Sequence, residues 1–164
     1  ASLLDELCAV LADLGITSVL DPLAHTGFHA NLIAKQGFNV VAADEHPALT
    51  CWLEVCERQA SETPWVQYGR NWALLLSWLP YWNEVGAEAL RAFQGDVLIV
   101  MGDHGDWTGT MAFRQELSDN WECVRHWPTR PPWPRVNERL EVFVRRRPAA
   151  ASKPGILHGV VGMP

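Results

Sequence analysis

Residues 19–47 read VLDPLAHTGFHANLIAKQGFNVVAADEHP, and this stretch determines which class of architecture the chain can adopt. Its first apolar segment ends at Asp21, a helical pattern follows over residues 28–36, and a second apolar segment covers residues 39–43 and ends at Asp44. Strand, turn, helix and strand in this order form the repeating unit of α/β proteins. We therefore expect two parallel strands joined by a helix, with an acidic residue at the end of each strand.

Helical and extended patterns also alternate on both sides of this stretch. The apolar run VLIVM at residues 97–101 is typical of a central strand, whereas residues 139–145 alternate apolar and charged side chains like a more exposed strand. The order of elements predicts an α/β fold with a doubly wound, mostly parallel sheet, helices on both faces and an antiparallel last strand. Helices are predicted over 3–14, 28–36, 47–60, 85–93 and 110–120, and strands over 18–21, 39–43, 64–68, 72–78, 97–102, 122–126 and 139–145.

Composition limits the classes of protein that the chain can belong to. Its 164 residues suffice for one domain, which we place over residues 1–148, followed by a flexible tail over residues 149–164. No apolar run has the length of a membrane span and no signal peptide pattern is visible, so we expect a cytoplasmic protein without membrane contact. The net charge of −6 disfavours non-specific binding of nucleic acid without excluding a nucleic-acid partner.

The cysteines form no C-x-x-C pair and match neither a zinc motif nor a disulfide framework. We expect four reduced thiols in the core of the protein. They are Cys8, Cys51, Cys56 and Cys123.

Tryptophan is the one anomaly of the composition, with nine residues. We assign Trp52, Trp121 and Trp127 to packing in the core and between elements. The last third of the chain interleaves Trp127 and Trp133 with arginines, a pattern that fits either a solvated strand and its flank or a docking surface for an acidic or nucleic-acid substrate. The arginines concerned are Arg125, Arg130, Arg135, Arg139 and residues 145–147.

Polar and aromatic residues concentrate at the ends of the predicted strands. In open α/β sheets, ligands bind beyond the carboxyl ends of the strands, so we expect the functional site at this edge. The segments that reach it are 21–27, 44–46, 69–72, 77–82 and 102–108.

A metal site is one interpretation of this edge. Asp21, His25 and His29 stand at equal four-residue spacing, and further Asp and His residues follow the predicted strand over 97–102. Such a cluster can hold zinc, manganese or iron, although no dedicated motif such as H-E-x-x-H is present. A metal-dependent enzyme therefore stays an alternative, with Asp103, His104 and Asp106 as the additional ligands.

Three segments, VLDPLAHTG, VVAADEHP and LLLSWLPYW, together resemble the motifs of class I S-adenosylmethionine-dependent methyltransferases over about residues 1–147. The first motif of that family is an acidic residue followed by a glycine-rich turn, E/D-x-G-x-G-x-G. Asp21 matches the acidic residue and Gly27 the final glycine, whereas Leu23 and His25 occupy the two earlier glycine positions.

The resemblance implies a Rossmann-like fold, S-adenosylmethionine as the cofactor and methyl transfer to an unidentified small-molecule or macromolecular acceptor. Asp44 matches the family's acidic residue that holds the ribose hydroxyls. WLPYW resembles the family's Asn/Asp-Pro-Pro-Tyr motif, with Pro80 and Tyr81 matching and Trp78 replacing the amide or acid. The cofactor-binding residues that we predict are Asp21, Leu23, Thr26, Gly27, Asp44, Glu45, Ser77, Trp78 and Pro80.

Catalysis in this interpretation comes mainly from holding cofactor and acceptor in line. Tyr81, Asp103 and His104 are the nearest candidates for a catalytic acid or base. A catalytically degenerate module that binds a protein partner is a second alternative. Leu23 and His25 at glycine positions favour that alternative, and Asp44 opposes it.

Overall fold

The computed structural model describes residues 2–103, 108–129 and 136–146. The α-helices within these ranges are α1 (Leu3–Asp13), α2 (Phe28–Ala34), α3 (Val85–Ala92) and α4 (Met111–Asn120). The strands are β1 (Ser18–Asp21), β2 (Asn39–Asp44), β3 (Cys56–Glu57), β4 (Trp72–Ser77), β5 (Val97–Asp103), β6 (Trp121–Pro128) and β7 (Glu138–Arg145). None of these helices combines the length and the apolar character that crossing a membrane requires.

The strands form one sheet in the order β3-β2-β1-β4-β5-β7-β6. Strands β1 to β5 run parallel to one another, and β7 lies antiparallel between β5 and β6. The predicted fold class is confirmed, including the antiparallel last strand. The chain reverses its direction across the sheet between β1 and β4, which is where ligands bind in such folds.

Each face of the sheet carries its own hydrophobic cluster. Strand β4 contributes to both, because successive side chains of a strand point to opposite faces. Ala73 and Leu75 pack with α1 and α2, whereas Leu74 and Leu76 pack with α3 and α4. All four of these side chains are buried, which explains why the interior of β4 is apolar.

The predicted helix over residues 47–60 is wrong. Residues 48–55 instead form a loop that lies on the turn after β1, where the Ala48 N–H donates to the His25 carbonyl and the Trp52 N–H donates to the Thr26 carbonyl. These backbone donors are bound to another segment and are therefore not available for a helix.

The predicted strand over residues 64–68 is also wrong. The third strand of the sheet is β3, and a 3-10 helix occupies Trp65–Gln67. Pro64 precedes this helix and has no backbone N–H to give to a strand. Tyr68 is buried against Trp72 with a ring distance of 4.7 Å, so its side chain belongs to the core although its backbone is not extended in the sheet.

The cysteines are free, but the prediction that they lie in the core is wrong. Cys56 and Cys123 are exposed because they lie on β3 and β6, the two edge strands of the sheet. Cys8 and Cys51 are half-buried.

The tryptophans assigned to packing have different environments. Trp121 is 1% exposed, which confirms its core assignment, and Trp127 is half-buried with its indole N–H donating to Glu6. Trp52 is 61% exposed, so its core assignment is wrong. It lies on the loop over the β1 turn, and its ring meets the Phe28 ring in a T-shaped arrangement with 5.5 Å between centroids.

The arginines at the end of β7 connect this strand to neighbouring segments of the domain. Arg145 stacks 4.2 Å above the Trp121 ring and donates to the carbonyls of Phe93 and Gly95, while Arg146 donates to the Trp121 carbonyl. Arg145 and Arg146 thus make partly buried structural contacts instead of lying on a solvated strand, and the docking surface stays a prediction. The remaining predictions for Arg130, Trp133, Arg135, residue 147 and the tail over 149–164 fall outside the described residues.

Candidate functional site

The turn between β1 and α2 has the backbone shape that the glycine-rich motif predicts. His25 and Gly27 both have positive φ angles, +47° and +68°. Its φ angle favours glycine at position 27, and a Cβ atom there would lie 2.9 Å from Leu53 Cδ2, so the end of the Leu53 side chain would have to shift. His25 adopts the left-handed conformation without being glycine, at a cost of about 1 kcal/mol.

Leu23 does not need to be glycine, because its φ angle is not positive. Its side chain packs against the hydrophobic cluster on the α3 and α4 face of the sheet. The absence of glycine at this motif position therefore leaves the shape of the turn intact.

Asp44 at the end of β2 fixes this turn. One carboxylate oxygen accepts the His25 N–H at 2.8 Å, and the other accepts the His46 N–H at 2.9 Å. No helix begins directly after Asp44, so these are not the bonds of a helix cap. Its bond to His25 offsets the strained φ angle and was not visible from the sequence, because the two residues are 19 positions apart.

Asp21 at the end of β1 is a buried carboxyl group, with 2% of its surface exposed. The Leu23 N–H donates to it over a long distance of 3.4 Å. Burial raises the pKa of Asp21 to about 7, opposed by the Leu23 N–H and reinforced by the nearby Asp44 carboxylate. A cation or a strong donor beside this group would favour its ionised form.

Glu45 reaches from β2 towards the segment after β3. Its carboxylate accepts the Gln59 side-chain N–H at 3.0 Å. A polar cavity of about 380 Å³ lies here, lined by Glu45, His46, Glu57, Arg58, Gln59 and Glu62. Sequence reasoning missed the last four of these residues because it placed the third strand too late. The spacing of Gln59 and Glu62, which together cap a 3-10 helix, was the available signal.

Ser77 at the end of β4 pairs with His29 in α2. The Ser77 hydroxyl lies 3.0 Å from His29 Nδ1. Burial lowers the pKa of His29 below its usual value, and the Glu138 carboxylate opposes this shift. The imidazole is therefore neutral at physiological pH. His29 was considered from the sequence only as a metal ligand.

Trp78 directly after β4 has a positive φ angle of +50°, which is rare for a bulky residue. Its backbone N–H donates to the Met101 carbonyl at 2.7 Å, and its indole N–H donates to Glu138 at 2.8 Å. Glu138 also accepts a short hydrogen bond from the Thr129 hydroxyl. These contacts hold Trp78 in a strained backbone conformation, which is common at functional sites.

The aromatic rings of WLPYW lie at the surface around a buried Leu79. Trp78, Tyr81 and Trp82 are 41%, 49% and 74% exposed. Tyr81 and Trp82 contact each other edge to face, with 5.0 Å between ring centroids. Pro80 is half-buried between them and Leu79.

Asp103 ends β5 in a buried position. Its backbone N–H donates to the Thr108 hydroxyl, and its carboxylate accepts the Asn137 N–H at 2.7 Å. Its predicted role as a catalytic acid or base stays a prediction. His104, the neighbouring candidate, lies outside the described residues.

The positions of the described side chains do not support the metal interpretation. Across residues 2–103, 108–129 and 136–146, no three His, Cys, Asp or Glu side chains are grouped so that they could hold an ion. His25 is exposed in the turn, whereas His29 is bonded to Ser77. Asp106 and His104, two of the remaining predicted ligands, are not among the described residues.

Solved structures of S-adenosylmethionine-dependent methyltransferases resemble the chain in fold. The chain therefore has the fold of class I S-adenosylmethionine-dependent methyltransferases. Neither a protein-family model nor a curated protein sequence matches the chain.

Three solved structures illustrate the likeness. Magnesium protoporphyrin IX methyltransferase from Synechocystis PCC 6803, with bound S-adenosylmethionine, has a TM-score of 0.62 and 14% identity over 87% of this chain and 78% of that one. The 1,6-didemethyltoxoflavin N1-methyltransferase of Burkholderia thailandensis has a TM-score of 0.59 and 17% identity over 87% of this chain and 77% of that one. An rRNA methylase from Streptococcus thermophilus has a TM-score of 0.58 and 12% identity over 90% of this chain and 98% of that one. At these identities the likeness is one of fold.

Proposed function

We propose that the protein binds S-adenosylmethionine and transfers its methyl group to an acceptor. The observation that carries the proposal is Asp21, a buried carboxyl group with one long hydrogen bond. Such a group is expensive to ionise unless a cation or donor reaches it, and the cofactor carries an α-ammonium group that would do so. The likeness to structures crystallised with S-adenosylmethionine or S-adenosylhomocysteine supports the same ligand.

The residues around Asp21 fit the rest of the cofactor. The left-handed backbone at His25 and Gly27 lets the turn with Thr26 and Leu23 approach a ligand closely. Asp44 uses two of roughly four acceptor positions for backbone N–H groups, so the others are available to ribose hydroxyls. Glu45 and the polar cavity beyond β3 suit the polar edge of the adenine ring.

The segment after β4 would form the side of the site that faces the sulfonium of the cofactor. Bound S-adenosylmethionine would supply an electrophilic methyl group on a sulfonium ion. The exposed rings of Trp78 and Tyr81 would stabilise that cation, and Ser77 and Pro80 would position the segment. Tyr81 and Asp103 stay candidates for a catalytic acid or base. The chain's main contribution to catalysis is to align the two reactants.

Calorimetric titration with S-adenosylhomocysteine tests the proposal. We expect binding in the micromolar range, or about −8 kcal/mol. Asp44→Asn should weaken it by roughly 1.5–3 kcal/mol, because it removes a charged acceptor from the ribose and loosens the turn at His25. Asp13→Asn changes an exposed acid at the end of α1 and serves as the matched control.

Two results would count against this function. Absence of binding at millimolar ligand to the folded protein would favour the degenerate module that binds a protein partner. Binding that is equally tight in Asp44→Asn and Asp13→Asn would refute the assignment of the ribose site.

A further inference from the structure

A groove runs between α1 and α2 on one face of the sheet. It encloses about 370 Å³, a volume within the range of small-molecule sites. Its walls are almost entirely apolar, and the only titratable side chain among them is that of His29. We call it the α1/α2 groove; Leu4, Leu7, Leu32, Leu75, Met101 and Leu140 are among its lining residues.

Two residues that line the α1/α2 groove place part of it near the candidate cofactor site. His29 lines the groove and lies two residues after Gly27 of the β1 turn. Met101 lines it as well, and its carbonyl accepts the backbone N–H of Trp78. The inner end of the groove therefore lies at the ends of β4 and β5, beside the segments proposed to hold the sulfonium.

His29 is arranged to accept a proton at this end of the groove. Its Nδ1 pairs with the Ser77 hydroxyl, and its Nε2 has no hydrogen-bond partner in the described part of the chain. When Nδ1–H donates to Ser77, the lone pair of Nε2 is available. Burial lowers the pKa of His29, so the ring is neutral and can act as a base, and Glu138 is the charged group that would stabilise it once protonated.

We propose that the α1/α2 groove binds the methyl acceptor, an uncharged and largely apolar small molecule with a phenolic hydroxyl, and that His29 Nε2 accepts the proton of that hydroxyl. This inference rests on the proposed function. Apolar walls disfavour a charged acceptor, since few side chains there would replace its hydration. A phenol must lose a proton as it attacks, whereas a neutral amine already presents its lone pair, so a base in the groove favours the phenol.

The step is balanced in atoms and charge. The phenolic oxygen attacks the methyl carbon, a C–O bond forms and the C–S bond breaks, with its electron pair returning to sulfur. The sulfonium becomes a neutral thioether, and the phenolic proton moves to His29, which becomes an imidazolium. That proton then leaves to solvent.

Binding of 1-naphthol, measured by calorimetry without cofactor, tests the groove. We expect binding to the wild type and a loss of about tenfold or more in Leu32→Trp, because the larger ring fills the groove. Leu14→Trp, at the other end of α1 and outside the groove, should bind within about twofold of the wild type. Thermal unfolding of each variant verifies that it is folded. Absence of binding to the wild type, or equal binding in the two variants, overturns the inference.

The absorption of bound 4-nitrophenol tests the role of His29, because its phenolate is coloured and its phenol is not. In the wild type the bound probe should be more ionised than in His29→Gln, with an apparent pKa lower by about one unit. Equal ionisation in both proteins would rule out His29 as the proton acceptor. Ser77→Ala should give an intermediate value, because Ser77 only positions the imidazole.

The two proposals fail in different ways. Binding of S-adenosylhomocysteine without binding of 1-naphthol overturns the acceptor groove and leaves methyl transfer standing. Binding of 1-naphthol without S-adenosylhomocysteine overturns methyl transfer and, with it, the acceptor role of the groove.

Discussion

At the scale of single residues, Asp21 has the largest energetic consequence. Its folded pKa of about 7 lies above the usual value of 3.8, so its contribution to stability is fully present below that lower value and is lost as the pH rises through about 7. The shift corresponds to a cost of the order of 4 kcal/mol at pH 8. The protein retains this carboxyl group although it destabilises the fold, which is the pattern expected of a functional residue.

Asp21→Asn should therefore stabilise the protein above neutral pH. We expect a gain of about 2–4 kcal/mol in the free energy of unfolding by urea at about pH 8 and a much smaller gain near pH 4. Saturating S-adenosylhomocysteine should reduce the pH dependence of the wild type, since its ammonium would favour the carboxylate. Asp13→Asn is the exposed control, and a gain for Asp21→Asn that is the same at both pH values would show that burial does not perturb this group.

The residue pattern predicted the acids of the site better than their contacts. Asp21, Gly27 and Asp44 lie together as the resemblance implied, because strand ends of a parallel sheet must meet at one edge. The strained conformations of His25 and Trp78 were not predictable, since neither residue type favours positive φ strongly. Each is held by bonds to residues distant in the sequence.

At the scale of elements, strands and helices with a clear apolar period were predicted, and the region between β2 and β4 was not. Residues 47–60 satisfy a helix rule locally, with Pro47 in a favoured first position. Their backbone donors bind the β1 turn, and Leu49 and Trp52 remain exposed, so no apolar face forms. Tertiary hydrogen bonds override local propensity here, and side chains of the same loop leave little room for a Cβ atom at position 27.

Gly27→Ala should reveal how closely this loop rests on the turn. Gly15 and Gly27 have similar φ angles, +74° and +68°, but a Cβ on Gly15 meets nothing within 4 Å. Both alanine variants incur the left-handed penalty of about 1–2 kcal/mol, and Gly27→Ala should lose roughly 1 kcal/mol more because the ends of the Leu53 and Val55 side chains must shift. Chemical unfolding measures the loss of stability in both variants. Equal losses would mean that the loop moves away from the added Cβ atom at no cost.

At the scale of the whole molecule, the two ends of the parallel strands differ in the kind of residue that they carry. The carboxyl ends of β1, β2 and β4 carry strained backbone and a buried acid, whereas the opposite edge carries the structural contacts of Arg145. The doubly wound, mostly parallel sheet and its antiparallel last strand were predicted from the alternation of elements, since few topologies satisfy right-handed crossovers and short connections, whereas the order of the strands was not predicted. The sequence could not show which edge contacts stabilise the domain, because these contacts depend on side-chain geometry.

Arg145 should stabilise the fold without affecting the site. It joins β7 to the carbonyls of Phe93 and Gly95 and stacks on Trp121, at the edge away from Asp21 and Asp44. Arg145→Gln should cost about 2–4 kcal/mol, because two charge-assisted hydrogen bonds and a cation–π contact are lost. Arg91→Gln, which removes an exposed ion pair of 3.7 Å with Glu116, should cost less than about 1 kcal/mol. Urea unfolding and S-adenosylhomocysteine titration of both variants separate the two effects. A loss of ligand affinity in folded Arg145→Gln would show that the two edges are coupled through the sheet.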